Sequence, residues 1–275
     1  MIADLHCHSH CSDGTLAPAA VVARAVQRGV DLLALTDHDT VDGIAEARAA
    51  ASAAGIDFVA GTELSCRWEG HDIHVVGLRL DIDSPVLLEG LTRQHVARRE
   101  RGQQIAARLV KAGVPGCWER ACELAGSDRP GRPHFARAIV EAGAARDFEH
   151  AFNRFLKQGQ VAYVPTPWAD IPTAVEWIRG AGGFAVVAHP SRYRLTRTKL
   201  NKLLTLFAAA GGAALEVQTP NQQPNQTRAL VLMATRLGLA GSIASDFHGG
   251  ATPWAELGAA GVLVPGIRPV WELWS

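Results

Sequence analysis

Three histidines, two cysteines and two aspartates lie within fourteen residues near the start of the chain, in the segment ADLHCHSHCSDGTL (3–16). Such side chains serve in zinc sites, redox sites or larger metal centres. A structural zinc site usually takes two close pairs of Cys or His ligands. The later cysteines provide no second pair; they are Cys66, Cys117 and Cys122. Cys7 and Cys11 also have the wrong spacing for a C-x-x-C redox motif.

A β-strand over residues 2–8 favours the third possibility, a larger metal centre. Side chains alternate along a strand, so Asp4, His6 and His8 share one face. Cys7 then lies on the opposite face, where we expect a small core side chain. The pattern predicts that His6 and His8 stand next to each other as two ligands of one metal ion.

The composition excludes several classes of protein. The 275 residues carry 27 basic and 27 acidic side chains, and 48% are hydrophobic, which is typical of a soluble globular protein. No apolar run approaches the roughly 20 residues of a membrane span, and the N-terminus lacks a basic-then-apolar signal. Five irregularly spaced cysteines argue against a disulfide framework. We therefore expect a cytoplasmic protein, with no membrane association and no obligate protein partner.

Short apolar runs alternate with amphipathic segments rich in Ala, Leu and Arg. Strands are expected near 2–7, 31–36, 57–62, 72–78, 184–188, 214–218 and 239–245. Helices are expected near 17–28, 40–54, 170–181, 196–210 and 223–237. Strand–helix alternation is typical of a parallel sheet, and seven such strands predict an α/β barrel.

The alternation of predicted strands and helices stops between 84 and 157, where the sequence pattern predicts helices throughout. We expect a barrel formed by 1–83 and 158–275, with a helical insertion, or cap, at 84–157. Residues 92–157 contain 13 Lys and Arg against 7 Asp and Glu, a net charge of +6, so the remainder of the chain carries −6. A solvated helical face explains this charge as well as a basic lid over an anionic substrate does.

Polar side chains follow the predicted strands at the ends where barrel enzymes keep their working residues. One histidine at a strand end is usually structural, but six strands ending in His, Asp or Glu would be costly unless a metal neutralised them. Imidazole and carboxylate ligands suit zinc, manganese or iron. Besides His6 and His8, the candidates are Asp13, Asp37, His38, Asp39, Glu63, His74, His189, Asp246 and His248, with His134 at the start of a helix in the insertion.

The motifs DLHCHSHCSDG, ALTDHDT, GTELS, IHVVGL, GRPHFA, AHPSRY and SDFHGG occur in this order along nearly the whole chain. Together they resemble the PHP (polymerase and histidinol phosphatase) family. The resemblance implies a distorted seven-stranded (β/α)7 TIM-like barrel with a trinuclear metal centre. It also implies three ligand sets, of which the first two share Glu63: His6, His8, Glu63 and Asp246; Glu63, His74 and His134; Asp13, His38 and His248.

His10 has no place in these sets and is expected at the rim of the site. Asp37 and Asp39 are expected to orient ligand histidines through their second ring nitrogen.

Such a centre suits phosphate ester hydrolysis, because water between divalent ions is deprotonated near neutral pH and the ions offset charge on the phosphoryl group. We expect two to three ions, most plausibly Mn²⁺, with Zn²⁺, Fe²⁺ or Mg²⁺ as alternatives. His189 could protonate the leaving oxygen. Arg192, Arg194 and Lys157 could bind a phosphate that the metals do not reach, although the two arginines could equally be exposed loop residues.

The resemblance is greatest to stand-alone members that remove the 3′-phosphate of nucleoside 3′,5′-bisphosphates. Related members shorten small RNAs from the 5′ end, and others hydrolyse histidinol phosphate. Two further classes stay open: a metallohydrolase acting on an amide or lactone, which needs no phosphate-binding residues, and a catalytically silent metal-binding module, which would usually lack some ligands.

Overall fold

The computed structural model describes residues 1–250 and 255–274. Its strands form one seven-stranded sheet in the order of the chain. They are β1 (Ala3–Asp4), β2 (Leu32–Leu35), β3 (Asp57–Trp68), β4 (His71–Leu78), β5 (Phe184–Val187), β6 (Ala214–Gln218) and β7 (Ala240–Ile243).

The two edges of the sheet approach each other through the segment that follows β1. Leu5 N–H donates to Ile243 O at 3.1 Å, and Asp246 N–H donates to His6 O at 2.9 Å. A further bridge joins Cys7 to Phe247. The sheet is therefore nearly closed into a barrel, which confirms the predicted fold class.

The expectation of a fully parallel sheet is wrong at β4, which runs antiparallel to both β3 and β5. A parallel connection needs a crossover of a dozen or more residues, but only Glu69 and Gly70 separate β3 from β4. Both residues have positive φ (43° and 81°), as a tight type I′ hairpin turn requires. The reversal places His74, near the start of β4, at the same edge of the sheet as the carboxyl end of β5.

Helices follow most of the strands and cover the outside of the sheet. The described helices are α1 (Pro18–Gln27), α2 (Ile44–Ala54), α3 (Pro85–Lys111), α4 (Cys117–Ala125), α5 (Arg132–Glu141), α6 (Phe148–Ala151), α7 (Ile171–Gly180), α8 (Arg197–Ala209) and α9 (Pro224–Arg236). None of them is long and apolar enough to cross a membrane. Their start signals are local: Asp170 caps α7 by accepting from Thr173 N–H, and Thr196 caps α8 by accepting from Lys199 N–H.

Contacts divide the chain into two compact units, residues 1–91 with 169–275, and residues 92–168. The second unit has its own apolar core, which includes Ile105, Leu109, Phe135 and Ile139. The division differs from the expected insertion at 84–157, because α3 starts within the first unit and continues unbroken into the second. That this segment is a separate domain acting as a lid stays a prediction.

Candidate metal centre

Glu63 is the centre of a buried cluster of imidazole rings. It lies in β3 and is fully buried, and the backbone of Asp37 to Asp39 pairs with it on the β2 side. Its Oε1 is 2.8 Å from His74 Nδ1 and 3.1 Å from His189 Nε2. Its Oε2 is 2.9 Å from His38 Nδ1. Histidines from the end of β2, from β4 and from the end of β5 thus surround the Glu63 carboxylate of β3.

His6 and His8 approach the same carboxylate from the segment after β1. Their Nε2 atoms are 3.0 Å apart, and they lie 3.2 Å and 3.4 Å from Glu63 Oε2. Asp246, just beyond β7, adds its Oδ1 at 3.5 Å from His6 Nε2 and 3.2 Å from His8 Nε2. The structure therefore brings together the first predicted ligand set. Cys7 points away and donates its S–H to Ala34 O, as the strand alternation predicts.

The third predicted set also comes together, around Asp13. His248 Nε2 is 3.2 Å from Asp13 Oδ1, and His38 Nε2 is 3.7 Å from Asp13 Oδ2. The His8 ring stacks on His248 with centroids 4.1 Å apart. His38 consequently has one ring nitrogen facing Glu63 and the other facing Asp13, so it belongs to two groups and not only to the third.

The second predicted set is divided between the two units. His74 faces Glu63 in the first unit, whereas His134 lies in the second unit, in the first turn of α5. There His134 Nδ1 accepts from Gly131 N–H at 3.0 Å. Its assignment as a ligand stays a prediction.

The donor set fits divalent metal ions. Three groups have ligand atoms within 4.8 Å of one another: His6, His8 and Glu63; His38, Glu63 and His74; His8, Asp13, His38 and His248. Glu63 Oε2 is buried and receives no aligned hydrogen bond, although three ring nitrogens surround it. A buried carboxylate oxygen in that position suits a cation as its partner, and imidazole with carboxylate is the ligand chemistry of zinc, manganese and iron.

Electrostatics in the cluster favour positive charge. Burial lowers the pKa of His6, but the carboxylates of Glu63, Glu216 and Asp246 outweigh it and hold that pKa well above its usual range. Burial likewise opposes the Asp13 carboxylate, yet nearby histidines keep its pKa well below the usual value. The carboxylates thus favour positive charge at this position, which is the charge that a bound cation would supply.

The histidines do not titrate alike. Burial lowers the pKa of His8 to about 3, assisted by the charge on His248. Burial also lowers that of His248, but Asp13 and Asp246 dominate and raise its pKa to about 10. His8 is thus neutral at neutral pH and can bind a metal directly, whereas His248 must lose a proton before it can do so.

Sequence reasoning missed Glu216, which lies in β6 and is buried. Its Oε1 accepts from His6 Nδ1 at 2.7 Å, and its Oε2 accepts from the backbone N–H of His189 at 2.5 Å. The first bond leaves His6 Nε2 as the nitrogen that faces Glu63 and Asp246. A glutamate within the apolar strand ALEVQ (214–218) was the only signal that could have identified it.

The two aspartates expected to orient histidines bond mainly to serines. Asp37 accepts from Ser9 and Ser12, and the hydroxyl of Ser12 lies 3.4 Å from His8 Nδ1. Asp39 accepts from the backbone and hydroxyl of Ser65. Asp37 therefore reaches a ligand histidine only through a hydroxyl group. His10 is exposed, in keeping with its expected place at the rim.

Tyr193 is a second residue that the sequence did not reveal. Its hydroxyl oxygen accepts from the backbone N–H of His74 at 2.9 Å, and its ring meets that of His189 edge to face at 5.4 Å. Tyr193 thus holds two histidines of the cluster in place. No sequence motif marks Tyr193. Its contact with His74 could be inferred only by knowing that β4 runs antiparallel to its neighbours.

The four residues predicted to act on substrate have different surroundings. His189 has a φ of 28°, uncommon for a side-chain-bearing residue, and its buried Nδ1 makes no hydrogen bond. Arg192 Nη1 pairs with Asp246 Oδ2. Arg194 is exposed. Lys157 lies in the second unit, with Nζ 3.3 Å from Asn153 Oδ1.

Comparison with known proteins agrees with this geometry. Residues 4–220 match the model of the PHP domain family. A 5′-3′ exoribonuclease of Haemophilus influenzae is 44% identical over 98% of this chain and 97% of its own. A 3′,5′-nucleoside bisphosphate phosphatase of Chromobacterium violaceum is 43% identical over 98% of this chain and 95% of its own.

Among solved structures, an amidohydrolase from Chromobacterium violaceum, with bound sulfate and no metal, superimposes with a TM-score of 0.93. It is 42% identical, and the match covers 99% of this chain and 95% of that one. Motifs, fold and ligand geometry lead to the same assignment: the chain belongs to the PHP domain family.

Proposed function

We propose that the protein is a metal-dependent phosphoesterase that hydrolyses the 3′-phosphate of nucleoside 3′,5′-bisphosphates to give a nucleoside 5′-monophosphate and phosphate. The observation that carries this proposal is the buried cluster of imidazoles around Glu63, combined with 43% identity to a relative that is named for this activity. Amide or lactone hydrolysis could use the same donors, and the identity to a relative named as a bisphosphate phosphatase favours the phosphoesterase.

The proposed cofactor is two to three divalent ions, with manganese as the native metal. Ligands from the first set are His6, His8, Glu63 and Asp246; from the second Glu63, His74 and His134; from the third Asp13, His38 and His248. Bound ions would supply an activated water and offset charge on the phosphoryl oxygens. The five cysteines are free thiols, which fits a reducing cytoplasm as the compartment.

The chain's own residues would orient the substrate and move the proton. His189 is the candidate to protonate the leaving 3′ oxygen, because its ring lies in the cluster with Nε2 3.1 Å from Glu63 Oε1. Arg192 holds Asp246 Oδ2, which leaves Oδ1 directed at His6 and His8. Arg194, exposed two residues further on, is the better candidate for the second phosphate.

A second candidate function is the 5′-to-3′ hydrolysis of short RNA, because a relative named for that activity is equally similar. Both activities are compatible with one site. In each case water can attack the phosphorus attached to the 3′ oxygen of a 5′-phosphorylated nucleoside, and the P–O3′ bond breaks. The difference is whether that phosphate is a terminal monoester or leads to another nucleotide.

The proposal is tested with Mn²⁺-loaded protein and adenosine 3′,5′-bisphosphate, with adenosine 3′-monophosphate and histidinol phosphate for comparison. We expect 5′-AMP and phosphate from the bisphosphate, at a kcat/KM well above that for either comparison substrate. Release of the 5′-phosphate instead, or a clear preference for histidinol phosphate, would overturn the assignment.

Two arginine variants refine the test. Arg194→Ala should lower kcat/KM for the bisphosphate by about 30- to 1,000-fold, the equivalent of roughly 2–4 kcal/mol for a charge-assisted contact, and should spare the 3′-monophosphate. Arg192→Ala should lower kcat/KM for both substrates, because it removes the ion-pair partner of Asp246. Equal losses for Arg194→Ala on the two substrates would show that it does not bind the second phosphate. No loss on either would direct the search to Lys157 and the basic segment 92–157.

A further inference from the structure

A cavity of about 820 Å³ lies in the first unit, beside the carboxyl end of β6. Its walls are the loop 218–222, the first two turns of α9 with the residues just beyond them, and the segment 259–265. This volume falls within the ~300–1,000 Å³ typical of pockets for small organic ligands, and it exceeds what a single base needs. None of the predicted metal ligands lines it.

Two contacts link the wall of the cavity to residues near the metal cluster. Its loop begins two residues after Glu216, which binds His6. Gln222, in the cavity wall, accepts a hydrogen bond from the hydroxyl of Ser191 at 3.0 Å. Ser191 precedes Arg192, whose guanidinium pairs with Asp246. The wall of the cavity is therefore connected to the metal cluster through Gln222, Ser191 and Arg192.

One wall is held in place by a single side chain. The amide nitrogen of Gln218 donates to Ala260 O at 2.5 Å and Val262 O at 3.0 Å, and its carbonyl oxygen accepts from Val264 N–H at 3.0 Å. Every polar atom of this amide is engaged in holding the segment. The cavity is thus preformed, which lowers the entropic cost of binding a ligand there.

The lining combines apolar and amide side chains with one positive charge. Val231 and Leu232 on α9 provide apolar surface, and Leu232 is 55% exposed. The segment QTPNQQPNQT (218–227) has six amide side chains and no charge. Arg228 is the only charged residue among those that line the cavity, and residues 217–245 include no Asp or Glu.

This chemistry matches unpaired RNA. Amide side chains bind the edges of bases, apolar surface packs against their faces, and a cation meets the phosphate that joins them. The residues that line the cavity include no carboxylate that would repel a polyanion.

We propose that this cavity binds the nucleotides that follow the scissile P–O3′ bond in a single-stranded, 5′-phosphorylated oligoribonucleotide. The inference rests on the proposed function, because it requires the 5′ nucleotide to occupy the metal centre. The preference for bisphosphate or RNA would then depend on a site outside the metal cluster. The bisphosphate ends at the phosphate that is removed, whereas RNA would continue beyond that phosphate into the cavity.

The test compares two substrates on two matched pairs of variants. The substrates are adenosine 3′,5′-bisphosphate and a 5′-phosphorylated five-nucleotide oligoadenylate. Leu232→Glu places a carboxylate at an exposed position in the cavity, and Thr235→Glu places the same charge one turn further along α9, outside the lining residues. Arg228→Ala removes the cation of the cavity, and Arg236→Ala removes an exposed cation of the same helix that does not line it.

We expect Leu232→Glu and Arg228→Ala each to lower kcat/KM for the oligonucleotide about ten-fold or more, and to change that for the bisphosphate less than two-fold. Thr235→Glu and Arg236→Ala should leave both substrates unchanged. Fluorescence anisotropy of the labelled oligonucleotide on metal-free protein should show the same ranking of affinities. Normal turnover of the bisphosphate shows that each variant is folded.

Three results would overturn the inference. They are equal losses on both substrates, no loss on RNA in either cavity variant, and a wild-type protein that hydrolyses the bisphosphate but not the oligonucleotide. Failure of the proposed function is a separate outcome, in which the wild-type protein hydrolyses neither.

Discussion

Replacing Glu216 by Gln should weaken metal binding without removing a ligand from the three groups around Glu63. The two oxygens of Glu216 accept from two donors, His6 Nδ1–H at 2.7 Å and the backbone N–H of His189 at 2.5 Å. Gln offers one acceptor oxygen and one NH₂ group, so one of these buried donors must face another donor. An unsatisfied buried donor costs about 1–3 kcal/mol, and we expect the free energy of unfolding of the metal-free protein to fall by that amount.

The effect on metal binding follows from the same contact. Loss of the hydrogen bond that orients a ligand histidine typically lowers metal affinity by about 10- to 100-fold. Glu216→Gln should therefore require that much more free Mn²⁺ for half-maximal activity and recover a near wild-type kcat at saturation. Activity in metal-buffered solutions measures the shift, and urea unfolding in chelator measures stability.

The control is Glu69→Gln, which removes the same charge from an exposed ion pair with Lys202. Exposed pairs contribute little, so neither metal affinity nor stability should change appreciably. If Glu216→Gln behaved like this control, the inferred role of Glu216 in holding His6 would be wrong.

Three further predictions concern the cluster itself. Glu63→Gln should lose bound metal and about 1,000-fold of turnover with the fold retained by circular dichroism, because the Glu63 carboxylate would serve two of the proposed ions; a near wild-type rate would remove the proposed centre. Metal binding near pH 7.5 should release protons, because the pKa of His248 is raised to about 10 and a histidine binds metal only when neutral. Affinity should accordingly rise with pH up to that value, and calorimetric heats independent of the buffer's ionisation enthalpy would contradict this. Cys7→Ala should keep its metal and most of its activity, at a packing cost of about 1–3 kcal/mol in the free energy of unfolding; loss of metal would mean that the thiolate is a ligand after all.

Much of the first unit could be predicted because its candidate metal ligands lie in strands or at strand ends, and each strand is visible as a short apolar run in the sequence. Two-residue spacing in an extended segment was enough to place His6 beside His8. Alternation of apolar runs with amphipathic segments gave the correct number of strands. These features depend on local periodicity, which survives in a single sequence.

The features that could not be predicted depend on contacts between distant segments. Glu216 meets His6 across 210 residues, and nothing in either segment alone indicates the pairing. The reversal of β4 depends on the two-residue turn at Glu69 and Gly70, where Gly was the only visible signal. Tyr193 acquires its role only after that reversal has brought His74 within reach of its hydroxyl.

The two candidate substrates share the bond that breaks, so the metal centre alone cannot choose between them. The ions that it would hold act only on the phosphorus and the oxygens around it, and the P–O3′ bond is common to the 3′-monoester and the phosphodiester. Selectivity must come from the groups that hold the remainder of each molecule. Arg194 would act on the 5′-phosphate that both substrates carry, whereas the cavity beside β6 would act on nucleotides that only RNA possesses. Variation at the cavity could therefore change the preference for RNA while the ligands, and with them the chemistry, stay the same.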